Sequence, residues 1–385
     1  MIDVLPRESA STWLDLVETT PSLVFDPAMC RHKWGALTKS LPGITLHYAV
    51  KSNPYPGLLQ TIAAEGGCFD VASSAEIKIL EQQGVHPSRM IHTHPVKTDA
   101  EVERAVVSGV TTFVVDNVDE LWKLIPYRHV ILVMLRLSFI APDAPIDLSR
   151  KFGAPIQDAL SILDVANDSG IRIDGLCFHV GSQAATANTH ADALATCLEL
   201  CKKVKEKGLP EIVRIDIGGG FPAHYTGEPV DFDSFCAPIR EVLTNAPDHI
   251  KILAEPGRAI SAPSMALVCR VIGRAKRRDG WWFYLDDGVY GAQSGRIFDG
   301  MHYRMSVFTS SNEQSACVFA GPTCDSIDEL GRYPEFPVLN MNDVVIFHEM
   351  GAYTLASATQ FNGISPPSVV TRTLPGEVQE HRLSF

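Results

Sequence analysis

From about Pro21 to Ala262, short apolar runs alternate with stretches of helical period. SLVF, ITLHYAV, GCFDVAS, RMIHT, TFVVD, VILVMLRL, IDGLCFHVGS, VRIDIGGG and IKILAEPG read as strands. Between several of them lie amphipathic segments such as AEIKILEQQG and ATCLELCKKVKEKG, which read as helices. Strand followed by helix, repeated, predicts parallel strands joined by crossovers. Roughly eight such units over about 240 residues match the size of a closed (β/α)8 barrel, with a doubly wound open sheet as the alternative.

After Ala262 the texture changes to VCRVIGRAKR, WWFYLDDGVYG, SACVFAG and NDVVIFHEMGAYT, rich in β-branched and aromatic residues with few helix-length segments. The pattern therefore predicts an α/β chain with a barrel over residues 21–262 and a mostly β domain, a sandwich or barrel, over 263–385. Residues 1–20 are too few to fold alone and are assigned to the β domain.

Composition narrows the class of function. With 385 residues, 45% hydrophobic and 20% charged, the chain can bury a sizeable core, which excludes disorder and collagen-like repeats. The formal charge of -12 repels phosphate backbones and anionic membrane surfaces, so neither nucleic acid nor membrane is expected as a partner. MIDVLPRESAST carries acids early and has no apolar signal core, and no long uninterrupted apolar run follows, so the expected compartment is the cytoplasm. The nine cysteines are scattered without a CxxC pair, as expected of reduced thiols. His92 and His94 in HTHP invite a metal, but no further ligands accompany them at suitable spacing, and none is expected.

Candidate chemistry gathers where the predicted strands end. In HYAVKSN, Lys51 closes an apolar strand, where a parallel barrel collects its active-site groups. Partly desolvated, such an amine is a nucleophile able to form a Schiff base; otherwise it is a solvated lysine. Gly218, Gly219 and Gly220 in VRIDIGGGFP allow backbone amides to approach an anion, or simply make a tight strand-to-helix turn. Neither the GxGxxG nor the GK[ST] spacing is present. Glu255 and Arg258 in AEPGR are either a local ion pair or a carboxylate for a ring nitrogen beside a guanidinium for a phosphate. FHVGS supplies His179 and Ser182; taken singly, His179 reads as a core histidine. In the β domain, GPTCDSID displays Cys324 and Asp325 after a Gly-Pro turn, with a buried free cysteine as the alternative, and GAYT supplies Tyr353. Asp286, Asp287 and Asp299 read as a solvated face, and Trp281 and Trp282 as packing.

The order of these motifs is specific. Through HYAVKSN, CFDVASSAE, LRL, KFGA, FHVGSQ, DIGGGFP, AEPGR, DDGVYG, GPTCDSID, and GAYT followed by FNG, nearly the whole chain resembles the pyridoxal-phosphate-dependent decarboxylases of basic amino acids. That family contains ornithine, lysine, arginine and diaminopimelate decarboxylases. The resemblance implies pyridoxal 5'-phosphate held by Lys51 as a Schiff base, with His179 stacked on the ring and Glu255 paired with the pyridinium nitrogen. It implies phosphate binding by Ser182, Gly218, Gly219, Gly220, Arg258 and Tyr353, with Gly257 also among the cofactor-binding residues. Asp70, Glu76 and Arg136 match supporting residues near the cofactor.

It further implies a head-to-tail homodimer in which the β domain completes the neighbouring subunit's site and the Cys324 thiol protonates the α-carbon. Asp299 and Asp325 match the acids that receive the distal ammonium of ornithine, and Tyr290 is placed with them at the substrate. The expected reaction is decarboxylation of ornithine, lysine or both to putrescine or cadaverine, in polyamine biosynthesis. A diaminopimelate or other modified diamino acid decarboxylase is the alternative, although such enzymes typically carry Glu, not Asp, after the cysteine. An alanine-racemase-like protein would place an arginine where Glu255 stands. A regulatory protein lacking catalysis would be expected to have lost Lys51, Glu255, Arg258 or Cys324. Gln183 stands where the family usually has glycine, and Ala259 where an aromatic is common.

Overall fold

The computed structural model describes residues 2–140, 150–225, 229–372 and 380–381. The chain starts with β1 (Ile2–Pro6) and β2 (Ser22–Phe25) and then enters the barrel strands. These are β3 (Thr45–Ala49), β4 (Cys68–Val71), β5 (Met90–His92), β6 (Thr112–Val115), β7 (Leu132–Leu137), β8 (Ile173–Phe178), β9 (Arg214–Asp216) and β10 (Lys251–Ala254). All eight pair in parallel, and β10 closes on β3 with Leu253 beside Thr45 and Ala254 beside Leu46. The open doubly wound alternative is thereby excluded.

The barrel closes because its strands are apolar on both faces, as helix-covered parallel strands must be. Val114, Met134, Cys177 and Leu253, from four different strands, form a buried interior cluster. Gly175 on β8 makes room for it, since a Cβ there would lie 2.5 Å from the Met134 side chain. Helix starts are written into the sequence three times in succession. Ser73, Thr98 and Asn117 each accept a hydrogen bond from the backbone N–H three residues on, at Glu76, Glu101 and Glu120. These caps fix where the chain leaves the carboxyl ends of β4 to β6 and turns into a helix.

The remaining strands are β11 (Met265–Arg277), β12 (Gly280–Leu285), β13 (Met305–Thr309), β14 (Gln314–Ala320), β15 (Glu329–Pro337), β16 (Val344–Phe347), β17 (Ser368–Thr371) and β18 (Glu380–His381). They form one sheet with the order β1-β13-β16-β11-β12-β14-β15, while β2 joins β11 and β17. Its core packs Val24, Val268, Phe308, Val344, Ile346 and Val370, with Trp13, Leu14, Leu16 and Val17 laid against it.

Two compact units result. The barrel unit comprises Arg31–Pro222 and Val230–Gly257; the β unit comprises the described residues of Met1–Cys30, Ala223–Pro229 and Arg258–Phe385. SLVF, read above as a barrel strand, belongs to the sheet. All four residues of β2 are buried, running antiparallel to Met265–Val268 and parallel to Ser368–Thr371. Arg258–Ser261 likewise belongs to the β unit, so AEPGR is cut between Gly257 and Arg258.

Candidate active site

At the carboxyl end of β3 the chain makes a single 3-10 turn over Val50–Ser52, which presents Lys51. The Lys51 Nζ donates to Asp70 Oδ2 at 2.7 Å, and the other Asp70 oxygen accepts from the Thr93 hydroxyl. Asp70 is 1% exposed and Lys51 40%, so a buried carboxylate fixes an amine that remains reachable. Gly257 packs on the same turn, its Cβ position only 3.0 Å from Ser52 Cβ and 3.1 Å from Ala49 Cβ. A side chain there would press on the turn that presents the lysine, and its neighbours would have to give by a few tenths of an ångström.

The three glycines after β9 are forced by close approach as well as by torsion. Gly218 and Gly220 have φ of +66° and +99°, in the left-handed region. A Cβ on Gly218 would strike the Phe178 carbonyl, and one on Gly219 would lie 2.9 Å from both the Glu255 carbonyl and His179 Nε2. The turn is pinned by Gly218 N–H donating to Asp216 Oδ1 at 2.8 Å and by Glu255 N–H donating to Gly218 O at 2.8 Å. It therefore lies against His179 and Glu255 within one unit. Ser182 and Gln183 follow in the adjoining loop, and Gln183 has φ +60°, in the left-handed region that glycine adopts without strain.

Burial sets the charge state of this cluster. Glu255, 8% exposed, is pushed well above the usual carboxyl range by burial and by its neighbours Asp70 and Asp216. Asp216, fully buried, is raised mainly by desolvation and by the nearby Asp70. Glu76 accepts from the Ala72 N–H at 2.6 Å and is raised to about 7, again mainly by burial. His179 accepts from the Gly181 N–H through Nδ1 at 3.0 Å; desolvation, Arg136 and Lys51 hold its pKa well below normal, so the ring is neutral with its proton on Nε2. The Arg136 guanidinium lies 5.2 Å from the Phe152 ring. Acids whose pKa values are raised by burial surround one lysine, and a cationic partner would lower the cost of ionising them.

In the β unit a second cluster surrounds Arg258. Its guanidinium donates to Tyr225 Oη at 3.0 Å and Asp299 Oδ2 at 2.6 Å, and stands 4.7 Å from the Tyr353 ring. Although burial opposes the charge, Tyr225, Tyr353 and Asp299 hold Arg258 firmly protonated. Tyr353 has φ +54°, a strained value for an aromatic residue.

A third cluster holds Cys324, whose thiol-bearing residue is exposed, not buried. Its N–H donates to Asn362 Oδ1 at 3.1 Å. Next to it Asp325 accepts from the Tyr290 hydroxyl at 2.5 Å, which lowers the acid's pKa, and Tyr290 stacks on Phe361 at 4.3 Å. Thus Asp299 and Asp325, expected to serve one ammonium, have different partners within one chain.

Some readings need correction. Asp287 is not on a solvated face; it is 3% exposed, accepts from Ala292 N–H and is raised to about 8 by burial. Asp286 is half-buried and accepts from Arg270 N–H at 2.9 Å, and Asp299 is the Arg258 partner. His92, one of the two histidines of HTHP, is a buried ring stacked on Phe113 and lowered to about 4 by desolvation. Asp216 and Tyr225 were missed by the sequence reading. Asp216 sits inside the quoted motif, but only burial reveals its role; Tyr225 carries no motif at all.

The pyridoxal-dependent decarboxylase model for the pyridoxal binding domain matches residues 28–262. The chain belongs to this family. A lysine/ornithine decarboxylase of Selenomonas ruminantium is 35% identical over 361 residues, covering 92% of this chain and 91% of that protein. The crystal structure of a lysine/ornithine decarboxylase from Vibrio vulnificus, complexed with cadaverine, superposes with a TM-score of 0.90 at 40% identity, covering 95% and 98% of the two chains. The arginine decarboxylase of a Paramecium bursaria Chlorella virus gives 0.88 at 30% identity, covering 95% and 100%.

This protein is therefore a pyridoxal-phosphate-dependent amino acid decarboxylase with the barrel and β-sheet architecture of that family. Its barrel residues fit the cofactor on structural grounds. The amine of Lys51 suits an aldehyde, the side-chain-free turn at Gly218–Gly220 suits close approach of an anion, and the crowded Glu255 carboxyl suits a protonated ring nitrogen. No helix among the described residues is long and apolar enough to cross a membrane.

Proposed function

We propose that this decarboxylase acts on ornithine, lysine or both, releasing carbon dioxide and the corresponding diamine. The observation that carries the site assignment is the Lys51–Asp70 pair set among buried acids at the barrel mouth. In this reading Lys51 holds the cofactor covalently and Gly218 to Gly220 and Ser182 receive its phosphate, while Arg258 and Tyr353 of the β unit offer cationic and hydroxyl groups suited to a phosphate. The chemistry pyridoxal phosphate supplies when bound is an electron sink for the pair left by the departing carboxylate.

The chain's own groups then divide the work. Asp70 orients the Lys51 amine and keeps a negative charge beside it. Glu255 holds a proton at the ring nitrogen: burial beside Asp70 and Asp216 makes its lone negative charge costly, and a cationic partner removes that cost. His179, neutral and fixed by Gly181, offers a flat face without a competing positive charge. Cys324 delivers the proton to the α-carbon, and Asp299 and Asp325 receive the substrate's distal ammonium, with Tyr290 orienting Asp325. The exposed position of Cys324 supports delivery across a homodimer interface to the partner's barrel. The scattered cysteines, without a CxxC pair, support a reducing, cytoplasmic setting.

The test is parallel incubation of the pyridoxal-phosphate-loaded protein with ornithine, lysine, arginine and meso-diaminopimelate, reading product amines by mass spectrometry. Putrescine or cadaverine is the expected product. Agmatine alone, or lysine formed from diaminopimelate, would overturn the two-aspartate reading.

A further inference from the structure

The loop that carries Cys324 is not held by its own short-range turns alone. Asp328, four residues on, is 3% exposed, and its carboxylate points back into the loop. Oδ2 accepts from the Thr323 N–H at 3.1 Å and from the Thr323 hydroxyl at 2.7 Å. Oδ1 accepts from the Val289 N–H at 2.8 Å, in the segment that presents Tyr290. One buried carboxylate therefore ties the residue before Cys324 to the residue before Tyr290.

The sequence has cleared space for this. A Cβ added at either Gly288 or Gly321 would strike the Asp328 carboxylate, so both positions must be bare for the acid to reach its donors. The Gly321 N–H also donates to the Asp328 carbonyl at 2.8 Å, closing the loop on itself. A buried carboxylate that accepts three hydrogen bonds is fully satisfied, and removing one of its acceptors leaves buried donors unpaired.

We propose that Asp328 is a positioning residue that sets the Cys324 thiol and the Tyr290–Asp325 pair in one rigid arrangement. It touches no reacting group itself; it acts through Thr323 and Val289. The functional consequence rests on Cys324 being the proton donor. The positional consequence does not rest on that reading. A displacement of order 1 Å in a positioned catalytic group costs up to about 100-fold in rate.

The experiment compares the holoenzyme with Asp328→Asn, Thr323→Val and Cys324→Ala, each checked by its melting curve. Two readouts are taken: the Cys324 alkylation rate with iodoacetamide, mapped by peptide mass spectrometry, and the split of turnover between amine and the aldehyde of misprotonation. Asp328→Asn is expected to change Cys324 alkylation severalfold while other thiols react as before, to lower kcat by about 10-fold with little change in KM, and to raise the aldehyde share. Thr323→Val should move both readouts the same way by less. A folded Asp328→Asn protein with wild-type alkylation and product split overturns the proposal; where that variant does not fold, wild-type values in Thr323→Val do so. An unchanged split in Cys324→Ala would remove the thiol from proton delivery, and the alkylation rate would then decide the positioning role of Asp328 by itself.

Discussion

The acids of the barrel mouth and Asp325, beside Cys324 in the β unit, are the same residue types under opposite regimes. In the barrel, Glu255 and Asp216 are buried and Glu76 is half-buried, and desolvation raises the pKa of each. In the β unit, Asp325 is half-exposed and accepts from Tyr290, which keeps it ionised. Ionisation of the first group is favoured by a cationic neighbour, as Lys51 is and as a protonated ring would be. The second presents a permanent negative charge, as an approaching ammonium needs. Solvent access, not residue identity, assigns the two tasks.

The sharpest way to break this contrast is Lys51→Ala. Loss of the visible absorption of covalently held pyridoxal phosphate is expected, with turnover falling by at least about 1000-fold. Retention of the band would place covalent attachment elsewhere and dissolve the barrel side of the comparison.

Asp325→Asn should act on the other side. It removes one ionised partner of the distal ammonium, worth roughly 1.5–3 kcal/mol for a charged hydrogen bond, so KM for ornithine or lysine should rise by about 10- to 100-fold. The cofactor absorption should stay as in the wild type. Equal KM values would leave ammonium recognition to other residues.

The smallest effect belongs to Glu76. Its pKa is raised above the ordinary value of 4.5 to about 7, so the folded protein binds its proton more tightly than the unfolded chain does. The stability this confers is fully present below about pH 4.5 and is lost as pH rises through about 7. Thermal melts between pH 5 and 8 should show a decline of a few degrees attributable to this group, absent from Glu76→Gln. Parallel melting curves for the two proteins would remove Glu76 from the set of neutral acids.

Much of this layout was legible in the sequence, for identifiable reasons. Strand and helix periods alternate cleanly, and the caps at Ser73, Thr98 and Asn117 are local signals, so the barrel could be read residue by residue. SLVF could not be placed that way. A short buried strand has the same composition in a barrel as in a sheet, and the partners of β2 begin at Met265 and Ser368, far along the chain. Glycines at 218 to 220 announced a close backbone approach, because absence of a side chain is visible in sequence. Buried acids are not: Asp216, Asp287 and Asp328 look like any polar residue until the fold buries them.

Complementation between subunits tests the central claim most directly, that the barrel's lysine and the β unit's thiol belong to one reaction but to different chains. Lys51→Ala protein, expected to lack turnover, and Cys324→Ala protein, expected to be diverted from diamine to aldehyde, are mixed under conditions of demonstrated subunit exchange, and diamine formation is measured. One intact site per mixed dimer should restore about a quarter of wild-type activity, since half the dimers are mixed and each has one of two sites whole. No recovery despite proven exchange would contradict the division of labour and return Cys324 to the same chain as the Lys51 it serves.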